Sequence, residues 1–280
     1  MDTWLLNDSI ERKQLVVIGI CSDENSSFKK GTAEAPPLIR EALHNGSANL
    51  SAECGLSLGN NKRVNDIGDV NIGSGSAAFM KIEEHISQIL EQGGLPLTLG
   101  GDHAITYPII KAIAKHHQSF SILHFDAHPD LYDELDGNRL SHACPFARIM
   151  ESSLASRLIQ VGIRTLNGHQ KSQVEKFSVE THEMSHFDAQ NFNPNLTGPV
   201  YISFDIDALD PAFAPGVSHF EPGGLSVRDV LDIIQKIEVP IIGADIVEYN
   251  PKHDINGMTA MVAAKLVKEI GGMILKSNPI

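Results

Sequence analysis

Short apolar runs that end abruptly in acids and histidines constrain this chain more than any other feature. Runs at 15–20, 95–99, 120–125, 158–163, 200–204 and 239–246 are rich in Val, Ile, Leu and Phe. Strands buried on both faces read this way, because each side of the sheet must then be apolar. Helix-length stretches lie between them at about 77–92, 105–117, 145–156, 227–237 and 258–275, with Ser226 and Asn256 as candidate N-caps. Such alternation predicts βαβ units and a parallel sheet. No repeat, linker or composition break interrupts it, so residues 1–280 are expected to form a single α/β domain.

Composition narrows the class of function. With 42% hydrophobic and 20% charged residues, the chain is not disordered, coiled-coil or collagen-like. Twenty-two basic against 35 acidic residues give a net charge of −13. That balance repels phosphate backbones, disfavours nucleic acid as a partner and suits cationic substrates or bound metal. Cys21, Cys54 and Cys144 are far apart, odd in number and without a CxxC pair, as expected in a reducing cytosol. Residues 1–13 lack the basic-then-apolar order of a secretory signal and are too acidic for a transit peptide, which points to the cytoplasm. No apolar run approaches the ~18 residues of a membrane span.

In open α/β sheets the active site lies off the carboxyl ends of the strands. Gly100-Gly101-Asp102-His103 follows the second run, Asp126-Ala127-His128-Pro129-Asp130 the third, Asp205-Ile206-Asp207 the fifth, and Val247-Glu248 the sixth. In extended backbone, residues i, i+2 and i+4 point the same way. Asp126, His128 and Asp130 are therefore expected to converge, as are Asp205 and Asp207. With His103 they make four carboxylates and two imidazoles, too many for one zinc. They suit two cations ~3.5–4 Å apart, and the oxygen-rich set favours Mn²⁺.

Taken singly, each group has a plainer explanation. An isolated Asp-X-Asp is usually a solvated turn, and a His after Gly-Gly is often structural, the glycines serving positive φ. Together they would leave several charges unpaired near the sheet, which is costly without metal. His124 shares the parity of Asp126 and reads as a satisfied core histidine, with a supporting place beside the ligands as the alternative. His116 and His117 read as helix-end groups, and His44, His85, His169, His182, His186 and His253 as surface residues. The three cysteines and the Gly73-Ser74-Gly75 stretch carry no chemistry on this reading.

The segments GGDH, DAHPD and SFDIDALDPAFAPG resemble the three metal-binding signatures of the ureohydrolase family, which includes arginases and agmatinases. Similarity runs from NSSFKKGTAEAPPLIREAL to GMTAMVAAKLVKEI. DAHPDLYDELDGNRLSHACPFARIME, VGIRTLN, DPAFAPGVSHFEPGGLSVRDVL and GADIVEYNP resemble plant-type arginases more than animal arginases. The resemblance implies a three-layer α/β/α fold with a mainly parallel eight-stranded sheet, assembled as a trimer or hexamer. It implies one manganese on His103, Asp126, Asp130 and Asp205 and a second on His128, Asp126, Asp205 and Asp207, with Asp126 and Asp205 bridging. His142 would be the catalytic histidine, exchanging protons with solvent. Glu248 would bind the guanidinium. Hydroxide generated at the two metals would attack the guanidinium carbon, with Asp130 relaying a proton to the leaving amine.

The substrate expected from the plant-type match is L-arginine, giving L-ornithine and urea. Agmatine is the alternative, followed by other guanidino or formimino acids. Animal arginases read the amino-acid end of arginine with residues whose positions here hold Asn167 and Tyr132. Asn138, Arg139 and Ser141 are then candidate donors for the carboxylate, while Asp133, Glu134 and Asp136 would favour a bare cation. A binuclear phosphoesterase would need GDxxD and GNH motifs, which are absent. A single-zinc deacetylase would not need four aspartates. A non-catalytic homologue would not need His142 and Glu248 beside all six ligands.

Overall fold

A computed structural model describes residues 10–280. The leader reading of residues 1–13 therefore rests largely on positions outside the described residues. Strands β1 (Leu15–Ile20), β2 (Val64–Asp69), β3 (Leu95–Gly100), β4 (Ser121–Phe125), β5 (Arg157–Ile163), β6 (Glu180–Glu183), β7 (Val200–Asp205) and β8 (Ile241–Val247) form one sheet in the order β2-β1-β3-β8-β7-β4-β5-β6. Every pairing is parallel. The helices are α1 (Ala35–His44), α2 (Ser76–Glu91), α3 (Thr106–His116), α4 (Pro145–Glu151), α5 (Gly168–Phe177), α6 (Val227–Gln235) and α7 (Met258–Ser277).

Alternation along β1 shows why three layers form. Leu15 and Val17 face one side, in a core with Ile39 of α1, Val230 of α6 and Leu266 of α7. Val16, Ile18 and Ile20 face the other, with Ile82 of α2, Ile109 of α3 and Phe146 of α4. Each central strand thus needs apolar side chains on both faces, and the sheet is covered on both.

Elements missing from the sequence reading are those with little apolar signal. β6 is the edge tetrad Glu-Thr-His-Glu, and β2 is the opposite edge, carrying Asn65, Asp66 and Asp69. Edge strands need only one neighbour, so they tolerate polar sequence. α1 contains Pro36 and Pro37, which sit in its first turn, where a missing N–H costs nothing. α5 is polar and opens on Gly168. α4 stops at Glu151 because Ser153 turns left-handed, at φ 51.

Ser226 caps α6 as expected, in a reciprocal capping box with Asp229. Asn256 does not cap α7. It is left-handed at φ 54, whereas a cap needs extended backbone. Asp254 takes that role, accepting from the backbone N–H groups of Thr259 at 2.9 Å and Ala260 at 3.0 Å. Among the described residues no helix is long and apolar enough to cross a membrane.

Candidate active site and metal centre

β3, β8, β7 and β4 are consecutive in the sheet, and their carboxyl ends deliver His103, Glu248, Asp205 and Asp126 side by side. The convergence expected from extended backbone arises instead from side-chain-closed turns. The His128 N–H donates to Asp126 Oδ1 at 2.6 Å, and the Asp207 N–H to Asp205 Oδ1 at 2.8 Å. Asp130 completes its turn with φ 47, a conformation Asp tolerates better than most residues. The glycines before His103 do not serve positive φ either. A Cβ on Gly101 would lie 1.7 Å from the Ser22 carbonyl oxygen, so it is close backbone approach that requires glycine there.

His103 shows what the cluster demands. Its Nε2 lies 2.9 Å from Ser203 Oγ, whose own hydrogen goes to Asp245 Oδ1 at 2.7 Å. Nε2 must therefore carry the donated proton, leaving a lone pair on Nδ1. That Nδ1 is buried without a hydrogen-bond partner, facing Asp126 Oδ2 at 3.2 Å, Asp130 Oδ2 at 3.1 Å and Asp205 Oδ2 at 3.3 Å. A lone pair against three carboxylate oxygens requires a positive charge between them. Burial alone would lower the His103 pKa, but the three aspartates together raise it well above its ordinary value.

A second, similar centre adjoins it. His128 Nδ1 lies 3.3 Å from Asp126 Oδ1 and 3.1 Å from Asp207 Oδ2. Asp126 thus turns one oxygen to each histidine. Burial, Asp207 and Asp126 push the Asp205 carboxyl well above the usual range, and burial with Asp126 pushes Asp130 up to about 6. Crowded acids raised in this way fit two cations that would relieve the repulsion.

His124 is close enough to appear as a ligand beside His103 and Asp126. Its hydrogen bonds exclude that role. Gln160 Nε2 donates to its Nδ1 at 3.0 Å, so the proton sits on Nε2 and goes to Asp126 Oδ2 at 2.8 Å. Burial pushes its pKa down to about 4, which keeps it neutral. Both expectations for His124 meet here: it is satisfied in the core, and it orients the Asp126 carboxylate beside the candidate ligands.

Glu248 is buried and left-handed at φ 63, an uncommon conformation of the kind that clusters at functional sites. Its Oε1 accepts from the His103 N–H at 2.9 Å and from His142 Nδ1 at 2.8 Å. Burial opposes ionisation, but His142 holds Glu248 below the usual carboxylate range. The same pair, against burial, raises His142 to about 9, above the value near 6.5 expected of a free shuttle. The Ser27 N–H points at His142 Nε2 from 3.2 Å and opposes protonation there.

These groups line a cavity of about 210 Å³, with His128, Asp130, Asp205, Asp207, His142 and Glu248 on its walls. His219 lines it too and was not foreseen. Its ring lies 5.7 Å from His128 and 5.6 Å from His142. It follows no strand, so the strand-end reading passed over it; its place in VSHFEP, just past the third signature, was the available signal.

Three expected substrate contacts lie elsewhere. Asn138 is exposed, donating to Asn25 Oδ1 at 3.1 Å. Ser141 is buried, with Oγ 3.4 Å from the Ala143 N–H, and lies in a separate crevice with Arg148. Asn167 caps α5, accepting from the Gln170 N–H at 2.9 Å, and its amide donates to the Tyr132 hydroxyl. Its neighbour Tyr132 does line the cavity and stacks on His169 at 5.6 Å. Of the loop acids, Asp133 is neutralised by Arg139 at 2.9 Å and Arg148 at 2.8 Å.

Comparison with known proteins agrees with this geometry. Residues 13–272 match the Arginase family. The chain is 47% identical over 277 residues to arginase 1, mitochondrial, of Arabidopsis thaliana, covering 93% of this chain and 81% of that protein. It is 32% identical over 272 residues to an agmatinase of Bacillus anthracis, covering 94% and 92%. The solved arginase of Medicago truncatula superposes with a TM-score of 0.88 at 41% identity, covering 96% of this chain and 89% of that one. A parallel eight-stranded sheet, a paired Asp/His cluster at its centre and this similarity together establish that the chain is a ureohydrolase enzyme belonging to the arginase family.

Proposed function

We propose that this enzyme hydrolyses L-arginine to L-ornithine and urea, using two Mn²⁺ ions per chain. The observation that carries the reading is Asp126, whose two oxygens face separate His/Asp clusters whose members Asp130, Asp205, His128 and Asp207 line the cavity together with Glu248 and His142. Its similarity to proteins named arginase supports arginine over agmatine. So does the pairing of Asp133, which removes one acid that would favour a bare cation.

His103, Asp126, Asp130 and Asp205 would hold one cation, and His128, Asp126, Asp205 and Asp207 the other. Oxygen donors dominate both sets, which favours Mn²⁺ over Zn²⁺ or Cu²⁺. Bound there, such a pair would supply the Lewis acidity that lowers the pKa of a water toward neutrality. Glu248, kept anionic in a buried cavity, pairs with the guanidinium and presents its carbon for attack. Asp130 accepts a proton from the attacking water and returns it to the departing amine. His142, between Glu248 and Ser27 Oγ at 2.8 Å, exchanges protons with solvent.

The proposed partner is a small cationic guanidino substrate, with no role for nucleic acid or membrane. A homo-oligomer, trimer or hexamer, is the proposed assembly. Three unpaired cysteines favour the cytosol, although the names of several plant relatives place those proteins in mitochondria. Urea release from a panel of L-arginine, agmatine, guanidinobutyrate and formiminoglutamate tests the function. A decisive preference for agmatine overturns the substrate.

A further inference from the structure

Arginine's carboxylate end has no evident reader among the groups expected for it. Asn138 is engaged with Asn25, and Arg139 with Asp133 and Glu151. Arg164 spends its guanidinium on the carbonyls of Gly162, Asp207 and Glu221. Lys252 pairs with Glu34 at 2.9 Å.

Lys29 differs from all of these. It lies two residues beyond Ser27, which lines the cavity. Its Nζ sits 5.2 Å from the Phe28 ring centroid and 5.1 Å from that of Phe220. The Phe28 ring is in turn 5.4 Å from His219 on the cavity wall. Among the described residues, Lys29 has no carboxylate or carbonyl partner for Nζ.

The loop that carries it is fastened. Asp102 Oδ2 accepts from the Asn25 N–H at 2.9 Å, Asp23 Oδ2 from the Gly31 N–H at 2.7 Å, and the Lys29 carbonyl from Ser218 Oγ at 3.3 Å. The ammonium is thus placed by aromatic faces, which attract its charge without using its hydrogens. Three donors remain for an anion. A carboxylate leaving the acid-lined cavity on the side of His219 and Phe28 would meet an opposite charge on Lys29, and a bare ammonium a like charge.

We propose that Lys29, held on the Phe28 ring that packs beside His219 of the cavity wall, is a specificity-determining residue that receives the carboxylate end of an amino-acid guanidine substrate and disfavours amine-ended guanidines. This rests on the reading of L-arginine as substrate. The test uses full-length, Mn²⁺-loaded enzyme with L-arginine, L-argininamide and agmatine. Lys29→Gln should raise KM for L-arginine about fivefold, the size of one half-exposed ion pair. Its kcat and metal content should hold, KM for the other two should stay level or fall, and Lys29→Arg should restore KM for L-arginine. Equal changes for all three substrates, or none, overturn the proposal. The wild-type arginine-to-agmatine ratio tests the functional reading separately. An enzyme that prefers agmatine yet loses only carboxylated substrates in Lys29→Gln refutes that reading and keeps the role of Lys29.

Discussion

His142 Nδ1 stands 2.8 Å from Glu248 Oε1, so the carboxylate that would receive the guanidinium is already paired with an imidazole. Burial works against the charged imidazole, but Glu248 outweighs it and raises His142 to about 9. The folded-state value exceeds the unfolded one of ~6.5. The stability this pair contributes is therefore present below ~6.5 and lost as pH rises through about 9. Over the same window, imidazolium and guanidinium compete for one carboxylate. KM for the guanidino substrate should fall as pH rises from 7 to 9, and His142→Asn should flatten that trend. A KM profile of equal slope in both proteins would remove the competition.

Asp126 faces His103 with Oδ2 and His128 with Oδ1, whereas Asp207 faces only His128. Asp126→Ala should leave less than one Mn²⁺ per chain after desalting, and Asp207→Ala about one. Elemental analysis of the two variants decides this. Equal metal content in both would break the bridging assignment.

How far the sequence reveals this site follows from what each residue answers to. The central strands are legible because burial on both faces demands unbroken apolar runs, and the candidate ligands placed at their ends are legible with them. Edge strands β2 and β6 are not, since one neighbour and solvent accept polar sequence. His103, Asp126 and Glu248 were found by their place after a strand. His219 was not, because only the folding of a loop brings it to His128. Ser141 and Asn138 fail for the converse reason: nearness to His142 in sequence does not aim a side chain into the cavity.

Gly101 sits where the strand-end backbones touch, its N–H bonded to the Ile20 carbonyl at 3.1 Å. Gly101→Ala would force β3 away from the residues after β1 and displace His103. Overpacking against backbone should cost about 3 kcal/mol by chemical denaturation and weaken Mn²⁺ binding. Gly46→Ala is the control, because φ 81 strains it while nothing lies within 4 Å. It should cost only about 1–2 kcal/mol and leave metal affinity intact. Similar losses in both, with metal affinity intact in each, would show that the close approach at Gly101 does not hold His103 in place.

Asn167 separates a structural role from substrate recognition. Its Oδ1 accepts from the Gln170 N–H at the start of α5, and its amide donates to the Tyr132 hydroxyl. Losing an N-cap of this type costs ~1 kcal/mol. Tyr132 lines the cavity without reading charge, so loosening it should act alike on arginine and agmatine. Asn167→Ala should therefore lower the unfolding midpoint while shifting KM for both substrates by the same small factor. Asn167→Asp keeps the cap oxygen and should recover the stability. If Asn167 instead read the amino-acid end, Asn167→Ala would raise KM for arginine alone and leave stability unchanged. Denaturant titration beside paired KM measurements distinguishes the two, and only the second outcome would return Asn167 to the substrate's list of contacts.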